Sequence, residues 1–176
     1  MKTDTVGDDL ADRAGHGPPA EQFETFYAAS ADRVYRALAV TLGDVHLARE
    51  ATDEAMARAF VRWRQVAGVD NPGGWVFRVG LNWATSWRRK LRRERVLPET
   101  GWGLPAVAMP EPDGSDALAA LAHLTVDARA VVVCRVLFDL TTAETAAVLQ
   151  VAEGTVRSRL SRALTVLRRE LREESR

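Results

Sequence analysis

The chain has 176 residues, and its 24 basic and 24 acidic side chains cancel, so bulk charge selects no partner. That length allows one ordinary domain or two small ones. A single cysteine, Cys134, excludes an internal disulfide and a thiolate metal cluster.

Cys134 lies in AVVVCRVLF and reads as a small buried hydrophobe. No basic-then-apolar signal peptide opens the chain, and no apolar run approaches about eighteen residues, so a soluble cytoplasmic protein is expected. Charge is unevenly spread. Residues 1–56 carry eleven acids against five bases, whereas residues 86–95 (SWRRKLRRER) carry six bases and one acid. One face therefore suits a basic partner and another suits phosphates. Only Lys2 and Lys90 among the bases are lysines. GC-rich coding explains much of that count but not the clustering, and arginine is the better bidentate partner for phosphate and guanine.

Residues 1–20 are polar, carry Gly and Pro, and show no sustained period, which predicts a disordered tail. A first helix follows from Glu21, with Phe23, Phe26, Tyr27, Val34, Leu38 and Leu42 on it and Gly43 ending it. A second is expected over about residues 45–66, with Leu47, Ala51, Ala55, Ala59 and Trp63 inward. Asn71 is a good N-cap and Pro72 suits the first helical position, so a third helix starts there and runs to about Arg95. Residues 97–116 hold four prolines, three glycines, four acids and no base, the composition of a flexible linker between two helical modules.

The second module begins near Ala117. Thr125 caps a helix through Phe138, and Thr141 with Glu144 makes a capping box for TAETAAVL. After the break QVAEG, Val156, Leu160, Ala163, Leu164, Leu167 and Leu171 form an apolar stripe. Arg157, Ser158, Ser161, Arg162 and Thr165 take the other side, which has no acid between residues 154 and 170. Two short helices with a polar-faced second one spell helix-turn-helix. No strand signal survives, so the fold class is all-α: a three-helix N-terminal bundle and a C-terminal helix-turn-helix.

On the third helix, Trp75, Arg78, Asn82, Ser86 and Arg89 step by three and four beside an apolar stripe of Val76, Val79, Trp83 and Leu91. An aromatic, an amide and arginines on one face, leading into WRRKLRR, suit single-stranded nucleic acid. Rings stack on bases, amides read base edges and arginines hold the backbone. Phe77 and Trp83 read better as core, while Trp75 suits either role.

These motifs resemble a family. EGTVRSRLSRA at 153–163, WVFRVGLNWATSWRR at 75–89 and AREATDEAMARAF at 48–60 are similar, in order and spacing, to conserved segments of the bacterial extracytoplasmic-function (ECF) RNA polymerase sigma factors. The resemblance spans about residues 21–173. It implies a region 2 at 21–96 that binds core polymerase and the −10 element. It also implies a region 4 at 117–174 that reads the −35 element. Glu50, Asp53 and Glu54 match the helix that docks on the polymerase β′ clamp, where acids suit a basic face. Arg58, Arg78 and Asn82, with Trp75, Arg88 and Arg89 of the same basic helix, match the −10 surface. Loop 64–74 matches the specificity loop around a flipped base. Thr155, Arg157, Ser158, Ser161 and Arg162 match the helix that enters the −35 major groove. The linker's acids would follow the basic RNA exit path, and core polymerase would also be met at the β flap. An anti-sigma factor is a further partner the family implies; no residue pattern here points to one.

Three departures from the family pattern fall in the second module. Gln150 replaces a small turn residue, Ala152 a capping Ser or Pro, and Thr145 a branched hydrophobe, which together predict a less stable module. In the first, Asp53 replaces glutamine and Ser86 aspartate, so the preferred promoter sequence stays open. A stand-alone helix-turn-helix regulator is the alternative reading, but it leaves the 71–95 helix idle. An interaction protein without nucleic acid needs no base-reading side chains. An enzyme is disfavoured. His16, His46 and His123 are scattered, no phosphate loop or metal spacing appears, and Asp8/Asp9 and Asp53/Glu54 make poor metal cages. No catalytic residue, metal or cofactor is expected.

Overall fold

The computed structural model describes residues 19–94 and 115–174, and every element among them is helical. The first module is α1 (Pro19–Leu42), α2 (Val45–Val61), α3 (Trp63–Val66) and α4 (Pro72–Glu94). The second is α5 (Ser115–Ala122), α6 (Val126–Val136), α7 (Thr142–Leu149) and α8 (Glu153–Glu174).

Local chemistry sets most boundaries. Gly43 takes a left-handed φ of 63° and ends α1. Asp44 Oδ1 then accepts from the Leu47 amide at 2.9 Å and starts α2. Asn71 Oδ1 accepts from the Gly74 amide at 2.6 Å, with Pro72 at the first turn of α4. Thr125 Oγ1 accepts from Ala128, and the Thr141–Glu144 capping box is closed in both directions. Gln150 ends α7 at φ 54° and ψ 48°, a left-handed conformation that glycine adopts with less strain. Ala152 offers α8 no side-chain cap; its carbonyl accepts from Thr155 and Val156.

Several expected boundaries move. The second helix breaks at Arg62, whose amide is shared between the Arg58 and Ala59 carbonyls at 3.2 Å each. The chain then turns so that Trp63 packs between Phe23 and Phe26, a tertiary gain that periodicity does not report. Pro19 and Ala20, assigned to the tail, belong to α1, and Ser115 and Asp116, assigned to the linker, belong to α5. The sixth helix stops at Val136, two residues short of Phe138. The rest of the expected tail and linker, Arg95 included, lies outside the described residues.

In the first module α1, α2 and α4 pack around Val34, Leu38, Ala51, Ala55, Val76 and Phe77. Gly80 permits a close helix approach there. A Cβ on it would sit 2.8 Å from Leu38 Cδ1 and 3.0 Å from the Ala51 carbonyl oxygen. In the second module Leu124, Val132 and Ala163 form one small core, and Val131, Ala146 and Val156 another. The modules also meet. Ala130, Val133, Cys134, Phe138 and Leu140 are continuous with the core of the first module.

Candidate nucleic-acid and polymerase interfaces

Glu50 and Asp53 are exposed on α2, and Glu54 is partly covered. Glu54 Oε1 accepts from Arg58 Nε at 2.8 Å and lies 2.7 Å from Nη2. A member of the acidic set is thus paired with a member of the −10 set one turn away. At this exposure such a pair is worth at most about 1 kcal/mol, so either side chain can change partners cheaply.

Antiparallel packing of α2 and α4 opens a shallow cavity of about 380 Å³ lined by Ala57, Arg58, Val61, Arg62, Trp75 and Val79. Its lining combines aliphatic and aromatic side chains with two arginines. That combination suits a stacked base with its phosphate. Trp75, which suits either role by sequence, is both packed against the core and part of this cavity. Ala57, Val61, Arg62 and Val79 also line this cavity and are not among the residues the sequence singled out as candidates. Phe60 and Val61, 55% and 82% exposed, end α2 beside it.

Beyond the cavity, α4 presents Asn82, Ser86 and Arg89 to solvent, with Arg89 Nη2 at 3.5 Å from Ser86 Oγ. Arg78 is half-buried, and desolvation lowers its pKa from the ordinary arginine value. Arg88 is used differently. Its Nη2 donates to the Leu42 carbonyl at 3.1 Å and lies 3.5 Å from Asp44, which closes the C-terminus of α1. It is therefore held away from the stripe formed by the other −10 candidates. Phe77 is fully buried, and Trp83 is half-buried in a parallel stack with Trp87 at 5.8 Å.

On α8, Val156 and Ala163 are buried, whereas Arg157, Ser158, Ser161 and Arg162 are exposed and Thr155 is half-exposed. All five candidates lie on one helix, four of them outward. Ser158 Oγ donates to the Thr155 carbonyl at 3.0 Å, and Arg162 Nε donates to the Ser158 carbonyl at 3.2 Å. Arg157 rests on Glu153 at 3.1 Å. Arg159 instead reaches Asp127 of α6 at 2.6 Å, tying the two helices together. Burial pushes the Cys134 thiol up to about 12, which leaves it neutral and unreactive.

Residues 115–167 match the family described as sigma-70, region 4. The RNA polymerase sigma-E factor of Streptomyces coelicolor is 32% identical over 85% of this chain and 86% of its own length. The ECF RNA polymerase sigma factor SigL of Mycobacterium tuberculosis is 33% identical over 74% and 78% respectively. The fold is that of the sigma factor RpoE of Bartonella quintana, solved with the anti-sigma factor NepR, with a TM-score of 0.75 and 22% identity over 86% of this chain and 98% of that one. The chain belongs to the extracytoplasmic-function family of RNA polymerase sigma factors. It is an initiation factor and not an enzyme: it directs core polymerase to promoters by recognising the −35 element and melting the −10 element.

Proposed function

We propose that region 2 occupies residues 21–96 and region 4 residues 117–174, and that the functional surfaces divide among three helices. Glu50, Asp53 and Glu54 on α2 meet a basic face of the core polymerase clamp. Arg58, Trp75, Arg78, Asn82 and Arg89, with Ala57, Val61, Arg62 and Val79 of the cavity, receive the −10 strand. Trp75 stacks on an unpaired base, worth about 1–3 kcal/mol, which offsets the few kcal/mol of unstacking one. Arg88 supports this surface by holding α4 to α1. Thr155, Arg157, Ser158, Ser161 and Arg162 enter the −35 major groove.

The observation that carries this reading is the pairing, on one chain, of a cavity between α2 and α4 lined by Trp75 and two arginines with an outward face on α8 that has no acid between residues 154 and 170. A cytoplasmic location, contact with the β flap and control by an anti-sigma factor follow from the family, the last supported by the B. quintana complex. Among the described residues no helix is long and apolar enough to cross a membrane.

Reconstituted transcription tests the reading: the chain with core polymerase on a pool of random genomic fragments. Start sites that need both components and share two elements at fixed spacing are expected. Binding by the chain alone, with no added start sites, would point to a stand-alone regulator. Arg157→Ala is expected to cost about 1–3 kcal/mol at a single −35 position. Unchanged −35 preference in that variant would remove α8 as the reader.

A further inference from the structure

The start of α1 meets the end of α2 in a cluster of rings. Between centroids, Phe23 lies 5.1 Å from Phe60, 6.1 Å from Tyr27 and 5.4 Å from Trp63. Trp63 is buried, but Tyr27, Phe60 and Val61 are 46%, 55% and 82% exposed. A corner of this kind keeps contiguous apolar surface in water, which favours whatever can cover it.

Arginines flank the corner. Arg58 precedes Phe60 on α2, Arg62 and Arg64 follow it, and all three are exposed. Arg58 is paired with Glu54, whereas Arg62 and Arg64 form no ion pair among the described residues. Val61 and Arg62 also line the cavity between α2 and α4, so the corner and the cavity share an edge.

A segment of matching chemistry leads directly into this corner. Eighteen residues precede α1, which starts at Pro19, four residues before Phe23. Residues 1–18 hold four acids, Asp4, Asp8, Asp9 and Asp12, against Lys2 and Arg13. Val6 and Leu10 are the large apolar residues there besides Met1, and three of the acids lie within two residues of Leu10. Nine residues separate Leu10 from Pro19, a reach of up to about 30 Å, and about one helical turn separates Pro19 from Phe23. The corner is therefore within reach, and a short tether gives a local concentration on the order of millimolar. Segments of this composition order on a surface rather than alone.

Building on the sigma-factor reading, we propose that residues 4–12 dock on this corner: Val6 and Leu10 cover Tyr27, Phe60 and Val61, and Asp8, Asp9 and Asp12 lie beside Arg62 and Arg64. Docked there, the segment uses Val61 and Arg62, which the −10 strand also needs. Segment and strand exclude each other.

The test labels the full chain carrying Val61→Cys with N-ethylmaleimide, an uncharged reagent. Val61 is a surface residue, so the exchange leaves the fold intact, and the buried neutral Cys134 stays out of the reaction. The new thiol is expected to label at least fivefold more slowly than in the same chain with Val6→Ser and Leu10→Ser, which keeps every charge of the segment. Equal labelling with and without the two serines overturns the docking. Protection that fades on dilution also overturns it, because a second copy of the chain is then the cover. Added salt should narrow the difference, since exposed charges are screened; a difference that salt leaves unchanged overturns the pairing of the acids with the arginines. The second readout is binding of short fluorescein-labelled single-stranded DNA of random sequence. The wild-type chain should bind it at least threefold more weakly than the chain with Val6→Ser and Leu10→Ser. Equal affinity, or no binding by either, overturns the exclusion. Labelling is read on the chain by itself and holds whatever its function; initiation by the wild-type chain with core, run alongside, reports separately on the sigma-factor reading.

Discussion

Thr145 and Cys134 are both fully buried in the second module, and they respond to burial in opposite ways. Among the described residues the Thr145 hydroxyl has no partner, and desolvating such a group costs about 1–3 kcal/mol when unpaired. Thr145→Val removes that group while keeping the shape, so it should raise stability by about 1 kcal/mol. An increase in the urea midpoint at unchanged slope would show this, and a decrease would mean that the hydroxyl has a partner in solution. Cys134 is a weak acid kept neutral. Its pKa rises from 9.0 to about 12 on folding, so the unfolded chain ionises first and releases the proton the folded chain retains. Its contribution is fully present below pH 9.0 and is lost as pH rises from there toward about 12. Urea unfolding from about pH 8 to 10.5 should show a stability decline that Cys134→Ala flattens.

The elements show how much a few polar residues decide. The capping box of α7 joins Thr141 and Glu144 by two hydrogen bonds, 3.2 Å and 2.7 Å. Thr141→Ala should cost about 1 kcal/mol, read as faster amide exchange across α7 with α1 and α2 unchanged. Those bonds to Thr141 also hold the Glu144 carboxyl below its ordinary 4.5. The folded pKa is depressed, so this support is present above 4.5 and fades as pH falls through the lower folded value. Protection of α7 should therefore decline in acid, and an acid-insensitive α7 would contradict the box. The neighbouring turn has no such help. Gln150 sits in a left-handed conformation and Ala152 leaves α8 without a side-chain cap, so both departures noted in the sequence have a physical counterpart at the hinge of the DNA-reading motif.

At the scale of the molecule, two modules that a linker separates in sequence share one core. With both proposed DNA faces on one body, free protein should give little promoter-specific mobility shift, and core polymerase should create one. The shift should weaken with added salt because arginine–phosphate contacts release counterions. A strong specific shift by the lone chain would mean that the faces are already set at the promoter's spacing.

The helices of the first bundle, the caps at Asn71, Thr125 and Thr141, and the outward arginines of α8 were legible in the sequence. Each depends on local spacing: a helix repeats every 3.6 residues, and a cap acts within three. The break at Arg62 and the cavity between α2 and α4 were not legible, because each depends on which helices cross and where. Nor was the use of Arg88 to close α1, 46 residues away. Gly73 and Gly74 make the same point most plainly. In sequence they merely follow an N-cap and a proline; in the folded chain a Cβ on Gly74 would crowd both Asn71 of its own turn, at 3.1 Å, and Val148 of the other module, at 3.0 Å, and one on Gly73 would touch Phe138. Sequence alone determined what kind of molecule this is, since periodicity and motif order are properties of the chain. Tertiary structure alone decided how its two halves meet, since close packing is a property of surfaces brought together.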